Sequence, residues 1–139
     1  MSPDQTPPAV SKARLWTGRV LSSILAVLLG FDAVSKLLKL DAVVRGTVEL
    51  GYSESVIVPL GVVLLLCTLL YAVPRTAIFG AILLTGYLGG AVATHVRIGN
   101  PWMTHILFPV YVGVLLWVAL TLRDSRLEAL LFSKARRKA

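Results

Sequence analysis

The 139-residue chain is short of charge and almost without cysteine. Charged residues make up 15% of it, against about 25% in an ordinary soluble domain. A single cysteine, Cys67, excludes an intramolecular disulfide and dithiol exchange. It lies inside an apolar run and reads as a small packed side chain. The chain offers no Gly-rich phosphate loop and no nucleophile beside an obvious base. Neither end of it gathers enough ligands for a metal site. What remains is apolar: 56% of the residues. A domain this small has too much surface to hide that share in water, so lipid must be the solvent for most of it. The same excess excludes a disordered chain or a nucleic-acid arm.

Four runs are long enough to cross a bilayer at about 20 residues each. They cover about 15–36, 56–73, 76–96 and 103–122, within a membrane domain of 15–122. Residues 1–14 form a polar tail carrying Pro3, Pro7 and Pro8, and 123–139 a basic tail. The first run is read as retained rather than cleaved, since Arg19 interrupts it and three more spans follow. The segment from Leu37 to Ser55 holds Asp41, Arg45, Glu49 and Glu54 with Gly46 and Gly51. It is expected to lie over the mouth of the bundle as a short helix or irregular segment. Pro59 suits the first turn of span two, where a missing N–H costs nothing. The Pro74-Arg75 turn is so short that spans two and three must be antiparallel neighbours. Arg97, Gly99, Asn100 and Pro101 break the chain before span four. Trp102 and Trp117 are candidate interface anchors. Leu127 to Phe132 keep a helical apolar pattern.

Four spans put both ends of the chain on one side. Ten basic residues fall with the ends (Lys12, Arg14, Arg19, Arg75, Arg123, Arg126, Lys134, Arg136, Arg137 and Lys138) and four fall opposite (Lys36, Lys39, Arg45 and Arg97). That bias predicts cytoplasmic termini, in the plasma (inner) membrane if the source is bacterial. The net charge of +7 is thus read as a topology signal and a lipid-headgroup contact, with no nucleic-acid partner expected.

Two sets of residues stand out as candidates. Gly86 and Gly90 form a GxxxG pair on span three, with Gly89 beside them, and such residues let backbones approach closely in lipid. They suit either packing inside the monomer, the favoured reading, or a homo-oligomer seam. The second set is polar: Asp32 and Lys36 end span one, His95 and Arg97 end span three, and His105 begins span four. All reach the non-cytoplasmic half, where ionisable groups are costly and usually face inward and pair. Asp32 can pair with Lys36 four residues on or with Arg97 across the bundle, and the cross-bundle contact is expected. His95 is a candidate proton carrier or headgroup contact, since histidine changes charge near neutral pH. His95 and His105 can face one another, but two histidines without a further ligand pair are too few to predict haem.

The run Ala72-Val-Pro-Arg-Thr-Ala-Ile-Phe-Gly-Ala-Ile-Leu-Leu-Thr-Gly-Tyr-Leu-Gly-Gly-Ala-Val-Ala-Thr-His-Val-Arg-Ile-Gly-Asn-Pro101 resembles the most distinctive segment of DoxX-like membrane proteins. Gly30-Phe-Asp-Ala-Val-Ser-Lys36 and Gly51-Tyr52 resemble that family as well, and the resemblance extends over about Leu21 to Leu131. It implies an all-α, antiparallel four-helix membrane bundle. Its motif falls on Lys36, Gly86, Gly89, Gly90, His95 and Arg97. Some relatives of the wider family are membrane subunits of a thiosulfate:quinone oxidoreductase. Broader relatives often carry a glutamate in the first half of span two, where this chain reads Gly61-Val-Val-Leu-Leu-Leu66. That departure weighs against borrowing a proton-relay or redox role.

The reading favoured by the sequence is a non-catalytic membrane module. It would hold a lipid-like or quinone-like molecule, or a membrane partner subunit, in the non-cytoplasmic half, with apolar walls around the tail and Asp32, His95 and Arg97 at the head. The alternatives are a membrane subunit of a quinone-linked oxidoreductase, which would need a redox partner to supply electrons, and an oligomeric small-molecule transporter.

Overall fold

The computed structural model describes residues 10–136, and the side chains of residues 10–131. Most of the predicted polar tail, and Arg137 and Lys138 of the basic cluster, lie outside the described residues. Six α-helices and no strand occur among those that are described: α1 (Lys12–Leu37), α2 (Asp41–Glu49), α3 (Ile57–Ala72), α4 (Ala77–Arg97), α5 (Leu107–Arg123) and α6 (Ser125–Arg136). A 3-10 turn, Glu54–Val56, leads into α3, and a π-helical turn, Trp102–Ile106, leads into α5. With these turns included, four helical segments are long and apolar enough to span a bilayer. Their lipid-facing side is open and apolar: Val27 and Phe79 are 71% and 70% exposed. The protein is an integral, multi-pass membrane protein.

The helix starts and stops have local causes. Span one begins at Lys12, three residues before the predicted start, because the Ser11 hydroxyl accepts from the Arg14 N–H and caps the first turn. The tail reading for residues 12–14 is therefore corrected. Arg14 reaches further, donating to the Thr121 carbonyl at 3.2 Å and pairing with Glu128 at 2.6 Å. These contacts bring both described ends of the chain to one end of the bundle, as four spans require. α2 stops at Gly51, whose φ of +84° suits a residue without a Cβ. At the start of α5, Pro109 has no N–H to offer the turn before it, so the wide π turn gives up no bond at that position.

The four spans form a ring in the order α1, α3, α4, α5, with α5 returning to α1. Leu25, Leu29, Leu64, Cys67, Leu84 and Leu116 fill its centre. Cys67 is a packed core side chain, as its apolar setting predicted. Tyr71 is fully buried and ties three helices together: its hydroxyl donates to the Leu116 carbonyl at 3.1 Å and meets Ser22 Oγ at 3.2 Å. Arg123 donates to the Tyr71 carbonyl at 2.7 Å and lies over its ring. Hydroxyls of Ser35, Thr68, Thr85 and Thr94 bond back to carbonyls four residues earlier, so none is left bare in hydrocarbon.

Three glycines set the close approaches, and none of them belongs to the GxxxG pair. Gly18 meets the backbone of Leu122 and Arg123, Gly61 meets Ala33 and Lys36, and Gly80 meets Leu70 and Tyr71. A Cβ added at Gly86, Gly89 or Gly90 would touch nothing within 4 Å. The favoured expectation that these three pack the monomer is thereby corrected: within the chain they leave space. α6 lies at the terminal end and buries Leu127 against the core, while Leu130 and Leu131 stay exposed. Trp102 is exposed, while Trp117 is half-buried and donates to Thr85 Oγ1 at 2.9 Å, joining α5 to α4.

Candidate functional site

The close glycine contacts are unevenly placed. α1 meets α5, and α3 meets α4, at the terminal end, through Gly18 and Gly80. At the distal end, the close approach is between α1 and α3, through Gly61. The distal half between α1, α4 and α5 has no comparable seam, and a cavity of about 600 Å³ lies there. Its walls are apolar: Leu28, Leu29 and Phe31 of α1, Leu60 of α3, Tyr87 and Leu88 of α4, and Phe108, Pro109 and Val112 of α5. Gly86, Gly90 and Ala91 form the α4 wall where side chains are smallest. The glycine motif thus contributes room.

The polar residues collect at the distal end of this cavity. Asp32, Lys36, Thr47, Leu50 and His95 line it and also line a second, more polar space of about 410 Å³, which adds Glu49, Asn100 and His105. The two spaces share these five residues, so a polar space lies directly beside the apolar one. Lys36 is paired with Asp32 at 2.5 Å. The Lys36 side chain is only 14% exposed, and its stem packs against Gly61. Burial of that stem with the ammonium turned toward a polar space is ordinary behaviour for lysine in lipid.

His95 is held by Asn100, whose amide nitrogen lies 2.7 Å from Nδ1. His105 stands edge-on to His95, with ring centroids 5.6 Å apart, and its Nδ1 bonds to Thr104. The two histidines, which the sequence allowed to face one another from adjacent spans, are neighbours in an edge-on arrangement. Among the described residues no three His, Cys, Asp or Glu side chains are grouped to hold a metal ion.

Arg97 does not join this group. The expected Asp32–Arg97 pair is replaced by the local Asp32–Lys36 pair, for which four-residue helical spacing suffices. Arg97 points to the covering loop, donates to the Leu50 carbonyl at 2.9 Å and lies against Gly51. It acts as a latch on the loop that roofs the cavity. A second latch is Lys39 with Glu54 at 3.4 Å, and a third is Tyr52, whose hydroxyl bonds Thr94 Oγ1 at 2.7 Å. Thr94 already donates to the Gly90 carbonyl, so Tyr52 is the donor. Arg97→Ala is expected to leave the spans intact and to speed amide exchange across Leu50–Ser53 about tenfold, the worth of one hydrogen bond to a charged group. Hydrogen-exchange mass spectrometry in detergent checks this, and unchanged protection there would show that Arg97 does not hold the loop.

Tyr52, Thr94, Thr47 and Asn100 were not singled out as site residues from the sequence. Tyr52 and Asn100 had a signal of a kind, as polar groups beside a glycine and a proline at the mouth of the bundle. Thr47 and Thr94 had none, since a threonine inside a helix is usually satisfied by its own backbone, as both are here.

Neither the curated proteins nor the solved structures yielded a match to this chain. The sequence profile of the DoxX-like family matches residues 20–119, from the first span through most of the fourth, and includes every helix that walls the cavity. The chain belongs to the DoxX-like family.

Proposed function

We propose that the protein binds an amphipathic molecule, lipid-like or quinone-like, in the distal half of the bundle and does no covalent chemistry on it. The observation that carries this reading is an apolar space and a polar space that share five lining residues, a combination typical of small-molecule sites. The tail would lie between α1, α4 and α5. The head would meet Lys36, His95 and the groups around them. Asp32 already neutralises Lys36, so an uncharged head that accepts or donates hydrogen bonds fits better than a fully charged one. A carbonyl or hydroxyl head has that character. The distal end carries few of the basic residues, which supports a site on the non-cytoplasmic side.

The test is purification in mild detergent followed by mass spectrometry of everything extracted with the protein. One amphipathic compound is expected in near-stoichiometric amount, above the background of bulk lipid. Lys36→Met keeps the buried stem and removes the ammonium, and retention is expected to fall about tenfold or more, as when one charge-assisted hydrogen bond is lost. Extraction of bulk lipid alone, in membrane proportions, would overturn the reading.

A further inference from the structure

A second cavity, of about 280 Å³, lies at the terminal end of the bundle, on the far side from the site above. Three arginines from three elements line it: Arg19 of α1, Arg123 at the end of α5 and Arg126 in the first turn of α6. One carboxylate, Asp124, lines it as well, and Asp124 accepts from the Arg126 backbone N–H at 2.9 Å. The side-chain charges around the cavity therefore sum to plus two. Among the described residues none of the three arginines forms an ion pair. Arg123 is fixed in place, with one nitrogen donating to the Tyr71 carbonyl and the guanidinium over the Tyr71 ring. A guanidinium has five N–H donors, so that single bond leaves most of them for another acceptor.

The backbone adds to the same potential. Buried Ala77 lines the cavity and is the first residue of the 21-residue α4. No side chain caps that N-terminus, because the Thr76 hydroxyl donates to the Leu70 carbonyl instead. Free N–H groups and the positive end of the helix dipole attract anions there. Guanidinium groups match the spaced oxygens of a phosphate better than any other side chain does. The cavity also sits at the terminal end, the end to which most of the basic residues fall, where anionic headgroups are expected.

We infer that this three-arginine cavity is a phosphate-binding site, independent of the distal cavity. The phosphate can be that of an anionic phospholipid headgroup or free in solution, and the two sources are separable. The full-length protein is placed in mixed micelles with phosphatidylglycerol or phosphatidylcholine, and bound lipid is counted by native mass spectrometry. In parallel, its melting temperature is followed with inorganic phosphate against chloride at equal ionic strength. The variant is Arg19→Gln with Arg126→Gln, since both side chains are exposed and neither is used in packing, unlike Arg123. Phosphatidylglycerol affinity is expected to exceed that for phosphatidylcholine in the wild type and to fall about thirtyfold in the double variant, as expected for two basic residues at the membrane surface. Stabilisation of the wild type by inorganic phosphate, lost in the variant, would assign the site to the free ion. Equal binding of the two lipids with no effect of phosphate, or a variant that binds as the wild type does, overturns the site.

Discussion

Gly80→Ala is expected to destabilise the protein by about 3 kcal/mol or more, although it adds one methyl group and improves helix propensity. The Cβ at that position falls inside contact distance of the Tyr71 backbone nitrogen and Cα, where no rotamer change can make room. α3 and α4 must then move apart. That motion disturbs Tyr71, and with it the bonds to Ser22, Leu116 and Arg123 that join three helices at the terminal end. The same substitution at Gly89 adds its methyl to open space, and is expected to leave stability unchanged or to raise it by up to about 1 kcal/mol. Thermal unfolding of both variants in one detergent compares them directly. Equal melting temperatures would show that the α3–α4 seam is not where the fold is tightest.

Gly90→Leu should act on ligand retention and leave the fold alone. Gly90 lines the distal cavity and has no neighbour within 4 Å, so the new side chain enters the space rather than another helix. Loss of the co-purifying amphipath by at least about tenfold is expected, equivalent to 1.4 kcal/mol. Helix propensity favours leucine over glycine, so the variant should reach the membrane and unfold no earlier than the wild type. Gly89→Leu is the matched control, because Gly89 does not line the cavity. If both leucines abolish retention equally, the α4 glycine face acts through another chain, and the cavity is not the site. Quantitative mass spectrometry of the extract decides between these outcomes.

The spans were legible because an apolar run of membrane length has few alternatives, and each boundary lies within three residues of the expected one. Ser11 drew α1 three residues earlier, and the π turn at Trp102–Ile106 drew span four one residue earlier. The convergence of Asp32, Lys36, His95 and His105 was legible too, since parity alone sends those span ends to one side. The partner choice was not. Asp32 meets Lys36 and Arg97 meets Leu50 because α1 and α4 stand diagonally across the ring, and helix order in a ring is not written in hydropathy. The glycines were misread for a related reason. GxxxG records a capacity for close approach, whereas the seams that form depend on which face each helix turns inward. Gly18, Gly61 and Gly80 stand in no such motif and are the ones that touch.

The ring order also constrains how the protein is made. The first helix has two long seams, and one of them, through Gly18, is with the fourth. A nascent chain with three helices inserted can complete the α1–α3 and α3–α4 seams, but its Gly18 groove stays vacant until α5 leaves the translocon. Slow delivery of the fourth helix should thus leave a partly assembled intermediate that is sensitive to quality-control proteases, with the distal cavity as the last part of the protein to exist.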